Sequence, residues 1–150
     1  MRRGVLTFSA LRDFRNCRRR YYNRFVREIV PAGRDSNLYL GDTFHRSLEA
    51  WFALDRDGVA RDAAAIARIH ALIDASYPNR DGDPQQKRLW HLARAMFDGY
   101  RRHYHTEDFE VVDVEKEFDA RIINPATRYP SRSYRMRGKV DLLVRMRETG

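Results

Sequence analysis

An aspartate stands alone inside an apolar run near the end of this chain, Gly138-Lys139-Val140-Asp141-Leu142-Leu143-Val144. The apolar flanks predict a buried side chain. A buried carboxylate must be hydrogen-bonded, paired with a cation or bound to a metal, because unpaired desolvation is costly. Strand alternation puts Lys139 and Asp141 on one face. The second candidate is His45 in "GDTFHRSLEA", where Gly41, His45, Glu49 and Phe52 follow one helical edge beside the stripe of Phe44, Leu48 and Trp51. Two chemistries fit it: a boundary imidazole sharing a hydrogen bond with Glu49, or a metal ligand. Glu115 and Glu117 in "VEKEF" could add a carboxylate, or both could simply face solvent.

Other candidates carry less. His103 and His105 lie two apart at a helix end and point in different directions, while His70 and His91 sit singly in helices with no partner signal. "DRDG" and "DGD" lack the terminal glutamate of a calcium loop and read as turns. No glycine-rich phosphate loop, nucleophile elbow or paired-cysteine zinc pattern occurs. Cys17 is the single cysteine, so no internal disulfide can form. Its spacing with Phe14 and Tyr21 predicts a small buried residue on their stripe. "RNCRRRYYNRF" interleaves arginines with aromatics. Either Arg15, Arg18, Arg19 and Arg20 contact phosphates while the rings pack inward, or the basic face is merely solvated.

The elements that must position these residues follow from periodicity and punctuation. Ser9 caps a first helix carrying Leu11, Phe14, Tyr21 and Phe25, ended by Pro31-Ala32-Gly33. A second helix runs from about Gly41 to Leu54, a third from the cap Asp62 to Pro78, and a fourth, long one from Pro84. After His105 the period changes to that of strands: "FEVVDVEKEFDARII", a turn in "NPATRYPS", then "YRMRGKVDLLVRM". "RETG" reads as the turn of a further hairpin. The class is α/β, helices first and then an unfinished sheet, since two strands alone are marginal.

Composition sets the limits. The 150 residues are 43% hydrophobic and 33% charged, enough for one domain with a core. No apolar run is long enough to span a membrane and no signal peptide opens the chain, so the expectation is cytoplasmic with no membrane partner. Residues 1–34 hold ten arginines against Asp13 and Glu28, which accounts for the whole net charge of +8. Acids then crowd Glu107 to Asp119, and residues 121–150 reverse the sign again. Basic clusters flanking an acidic site point to a polyanionic partner.

In order, "SALRDFRNCRRRYYNRF", "GDTFH", "VEKEF" and "RGKVDLLV" resemble the N-terminal part of a PD-(D/E)XK nuclease of the RecB-like branch, which includes the AddB nuclease domain, CRISPR-associated exonucleases and phage exonucleases. Ser9, Phe14, Cys17 and Tyr21 match the opening pattern, with Arg18 where proline is usual. Gly41 and His45 match the G-x-x-x-H motif, and Gly138 and Asp141 the G-x-x-D strand. The resemblance implies a restriction-endonuclease-like mixed sheet, with residues 1–105 as its helical part and 106–150 as the first strands of one domain. It implies metal-dependent, exonucleolytic hydrolysis of DNA, with Mg²⁺ or Mn²⁺ held by His45 and Asp141 as catalytic ligands. Either Glu115 or Glu117 matches an auxiliary acid. DNA contacts fall to Ser9, Arg15, Arg18, Arg19, Arg20 and Lys139, and further partners would be recombination, repair or phage replication proteins. The family's (D/E)-x-K motif has no counterpart after Asp141, so the expectation is a front half, inactive alone. The alternative is a non-catalytic basic module that binds nucleic acid. Some relatives hold an iron–sulfur cluster with a cysteine at the position of Cys17 and three others. With one cysteine here, no cluster is expected.

Overall fold

A computed structural model describes residues 4–29, 36–104 and 108–147. The elements are strand β1 (Gly4–Leu6), helices α1 (Phe8–Asn16) and α2 (Arg18–Tyr21) with a π-helical turn at Tyr22–Val26, helices α3 (Ser36–Arg56), α4 (Ala63–Ser76) and α5 (Pro84–His103), and strands β2 (Phe109–Ile123) and β3 (Pro130–Met146). The class is the expected one, helices followed by a mixed sheet. Its order is β1-β3-β2, and β1 runs parallel to β3 with Gly4 opposite Tyr134 and Leu6 opposite Met136. β1 was not legible in the sequence, because three residues are too few to show a period. The chain divides into two compact units, Met1–Gly33 with Lys116–Val140 and Arg34–Glu115 with Asp141–Gly150. β2 and β3 each run from one unit into the other.

In the second unit α4 and α5 start where side-chain oxygens replace missing intrahelical acceptors. Asp62 accepts from the Ala65 N–H at 2.8 Å, and Asp83 accepts from Gln85 and Gln86 ahead of Pro84, which has no N–H to satisfy. α3 begins at Ser36, a turn and more before the expected Gly41. The core joins all three helices through Trp51, Ile69, Ile73, Tyr77, Ala93 and Phe97, with Trp51 and Phe97 edge to face at 5.6 Å. The Arg61 guanidinium covers it, 4.8 Å from the Trp51 ring centroid and 3.0 Å from Asp55. A second cluster of Phe52, Val111 and Val114, with Leu48 and Leu142 against it, ties α3 to β2 and β3.

His70, expected to be solitary, has partners. Its Nε2 lies 3.2 Å from Asp98, and Arg94 reaches both its Nδ1, at 3.0 Å, and Asp74, at 2.7 Å. Arginine can only donate, so Nδ1 accepts and the ring's proton sits on Nε2, facing Asp98. The sequence hid this because the partners come from another helix. His105 and the "RETG" turn after Arg147 lie outside the described residues.

In the first unit the helix is capped by Thr7, whose hydroxyl accepts from Ala10, rather than by Ser9. It is also broken. Cys17 adopts an extended backbone (φ −158°, ψ 104°) between α1 and α2, so one apolar stripe cannot run through it. Cys17 is therefore exposed rather than buried. The rings do not all pack inward either: Phe14 and Tyr22 are about half exposed. The buried group is Asp13, paired with Arg20 at 3.0 Å and Arg24 at 3.1 Å. On the strands, Asp119 receives both Arg135 and Arg137. Their hydrogen bonds, Arg135 first, hold its carboxyl below the ordinary range.

Candidate metal centre

Within the second unit, three side chains from three elements converge. His45 Nε2 on α3 lies 3.0 Å from Glu115 Oε1 on β2 and 3.2 Å from Asp141 Oδ1 on β3. Each is anchored by a neighbour in the Phe52 cluster. Leu48 and Phe52 fix the face of α3 that carries His45, Val114 precedes Glu115, and Leu142 follows Asp141. Thr43 and Ser47, both buried, flank His45 and return their hydroxyls to the carbonyls of Tyr39 and Thr43, so this stretch of helix keeps its polar groups satisfied.

Glu115 is aimed by its backbone. Its φ is +56°, the left-handed region that a residue with a Cβ seldom enters. The burial period slips there as well: Val111 and Val114 are both buried although they stand three apart, where strict alternation would turn one outward. This is the kink a bulge makes, and bulges re-aim side chains beside functional sites. The Val114 N–H beside the kink is taken by Asp113 Oδ1 at 2.9 Å. Strained backbone of this kind costs on the order of 1–3 kcal/mol and persists only where its surroundings over-determine it.

Asp141 is not buried. Its side chain is 71% exposed, against 12% for Glu115 and 47% for His45. The apolar flanks misled because Val140 and Leu143 are themselves substantially exposed, and Leu142 alone of that run packs on the Phe52 cluster. The acid with the least water around it is Glu115. His45 contacts these two carboxylates rather than its helical neighbour Glu49.

The three donor atoms lie within 4.8 Å of one another. Neighbouring donors on an octahedral cation with bonds of about 2.1 Å stand about 3 Å apart, which is the spacing His45 makes with each acid. One imidazole nitrogen and two carboxylate oxygens, open on the Asp141 side, suit a divalent ion that also takes oxygen ligands from outside the protein. The residues fit the group.

The remaining candidates fall elsewhere. Ser9, Glu117 and Lys139 line a groove of about 680 Å³ in the first unit with Thr7, Phe8, Phe118, Met136, Arg137 and Gly138. Glu117 is thus not part of the cluster. Arg15, Arg18, Arg19 and Arg20 are all exposed; Arg20 is held by Asp13, and Arg18 lies 5.5 Å from the Phe14 ring centroid. No helix among the described residues is long and apolar enough to cross a membrane.

A family model described as the PD-(D/E)XK nuclease superfamily matches residues 5–150. No curated protein matches the chain, and no solved structure does.

Proposed function

Because the chain belongs to the PD-(D/E)XK nuclease superfamily, whose members hydrolyse nucleic acid with divalent metal, we propose that His45, Glu115 and Asp141 hold the catalytic cation of a DNA nuclease, exonucleolytic and of the RecB-like branch. The observation that carries the proposal is the convergence of one imidazole and two carboxylates from α3, β2 and β3 at contact distance. A cation bound there supplies Lewis acidity to a phosphate oxygen and lowers the pKa of a bound water. The chain's own contribution is to fix the donors: α3 holds the imidazole, the kink holds Glu115, and Asp141 stays accessible to a phosphate arriving from solvent. A nitrogen donor suits Mn²⁺ better than Mg²⁺, which prefers oxygen ligands, so Mn²⁺ should support activity at least as well as Mg²⁺.

The exposed Arg15, Arg18 and Arg19, with Ser9 and Lys139, would carry the DNA backbone through phosphate contacts without reading sequence. On this reading the chain is the front portion of a single nuclease domain acting in the cytoplasm, its (D/E)-x-K element lying on a following strand. No iron–sulfur cluster is proposed. A second reading, a basic nucleic-acid-binding module without catalysis, is favoured by one observation: no Asp/Glu-x-Lys stands anywhere in the 150 residues. One experiment separates the two. The chain, expressed with whatever coding sequence follows Gly150, is given end-labelled DNA with Mg²⁺, Mn²⁺ or EDTA. Cleavage that needs the ion and disappears in Asp141→Ala, while binding persists, supports the nuclease. Binding without cleavage under every condition supports the module.

A further inference from the structure

The turn between β2 and β3 carries a second charged surface, in the unit that does not hold the metal cluster. Residues 121–140 contain five arginines, one lysine and no acid. Asp119 neutralises two of the arginines, Arg135 and Arg137. Among the described residues, no carboxylate pairs with Arg121, Arg128 or Arg132. Between them stands Tyr129, 75% exposed. A single exposed ring is ordinary on any protein surface, so exposure alone decides nothing.

The turn that presents the ring is ordered. The Asn124 N–H donates to the Tyr129 carbonyl at 3.0 Å, and the Arg128 N–H to the Asn124 carbonyl at 2.8 Å. The Asn124 side chain accepts from Ala126 at 2.9 Å and Thr127 at 3.4 Å, and Arg128 takes a left-handed backbone (φ 59°) to complete the reversal. Pro130 fixes the residue after the ring. Tyr129 is therefore held out by backbone geometry, and a partner that stacks on it pays little ordering entropy. Beside it Arg121, Tyr129, Pro130, Ser131 and Arg132 line a hollow of about 250 Å³. That is below the roughly 300–1,000 Å³ of sites that enclose a small molecule. It suits one unit of a polymer lying across the surface.

We propose that this turn grips an unpaired stretch of nucleic acid, one base stacking on Tyr129 while Arg121, Arg128 and Arg132 take the flanking phosphates. The identity of the polymer rests on the nuclease reading above. An aromatic ring among arginines is the combination that binds single strands without regard to sequence, since every base has a face to stack. A duplex keeps its bases stacked on one another and leaves the ring without a partner. An acidic peptide would satisfy the arginines and leave the ring idle.

The test uses the 150-residue chain in EDTA, with fluorescence anisotropy of a labelled oligothymidylate, an abasic oligonucleotide of equal length, a blunt duplex and polyglutamate. Tyr129→Ala should weaken oligothymidylate binding by about 5- to 150-fold, the range for one base–aromatic stack. Tyr129→Phe should keep it, and neither change should alter abasic or duplex binding. The triple change Arg121→Gln, Arg128→Gln, Arg132→Gln should weaken all the nucleic acids and flatten their salt dependence. These four positions are exposed, and circular dichroism checks that the variants fold. Oligothymidylate binding unchanged in Tyr129→Ala would overturn the proposal. So would abasic strand or polyglutamate binding as tightly as oligothymidylate. Working in EDTA keeps this test apart from the metal centre: either can fail with the other standing.

Discussion

Glu115 and Glu117 are the same residue type two positions apart in one strand, and only the backbone separates their roles. At +56° the φ of Glu115 turns its carboxylate to His45, while Glu117 follows the next stretch of strand into a different groove. Glu115→Gln should therefore weaken Mn²⁺ binding by at least about tenfold, since even residues that only orient a ligand cost 10- to 100-fold. Glu117→Gln should leave it unchanged. Isothermal titration calorimetry of the two variants decides this, and equal loss in both would remove Glu115 from the site. This distinction could not be read from the sequence, because a left-handed glutamate leaves no compositional mark as a glycine would. That His45 and Asp141 would meet was legible through the motifs they complete, G-x-x-x-H and G-x-x-D. The exposure of Asp141 was not, because it depends on which strand neighbours find a core to enter. Cys17 failed in the same way: helical spacing placed it on a stripe, and a break in the helix took it off.

At the scale of elements, two motif glycines turn out to have different physical reasons. A Cβ on Gly138 would meet the Phe118 ring at 2.7 Å, so this strand position accepts no side chain without moving the ring. Gly138→Ala should destabilise the fold by about 1–3 kcal/mol. Gly41 has nothing within 4 Å of where a Cβ would sit, although it lies in α3 one turn before His45. Gly41→Ala should stabilise by about 0.5–1 kcal/mol, the helix-interior difference between the two residues. Urea denaturation measures both, and destabilisation by Gly41→Ala would show a constraint the packing does not contain. The pairing of α4 with α5 makes a pH prediction. Burial is the largest single influence on Asp74 and raises its pKa, but hydrogen bonds from Trp90 and Arg94 and the charges of Arg94 and Arg80 together outweigh it and leave it below the ordinary range. A depressed carboxyl pKa stabilises the fold above the unfolded value, and that contribution is lost as pH falls through the folded one. Asp74→Asn should thus cost about 1–3 kcal/mol at neutral pH, and the gap from the parent should close below about pH 4. A gap independent of pH would mean that the charge contributes nothing.

Across the whole molecule, charge and chemistry are segregated along the chain. The arginine excess lies in residues 1–34, while His45, Glu115 and Asp141 all belong to the other compact unit. Helix order, the change of period after α5 and this charge asymmetry were all readable from the sequence, since each is a property of long stretches. The short parallel β1 and the partners of His70 were not, because both are made by residues distant in sequence. If the basic face is a phosphate track, changing Arg15, Arg18 and Arg19 together to glutamate should weaken duplex binding whatever the sequence. The salt slope should fall by about 0.9 for each phosphate that is no longer neutralised. An unchanged slope would make it a solvated face. The central claim is that one nitrogen and two carboxylates bind a divalent ion, and pulsed electron paramagnetic resonance of added Mn²⁺ addresses it directly. The account predicts one tightly bound ion per chain showing hyperfine coupling to a single imidazole nitrogen, with the coupling abolished in His45→Gln and the binding lost in Asp141→Asn. Mn²⁺ bound in an all-oxygen environment, or nitrogen coupling that survives His45→Gln, would contradict it.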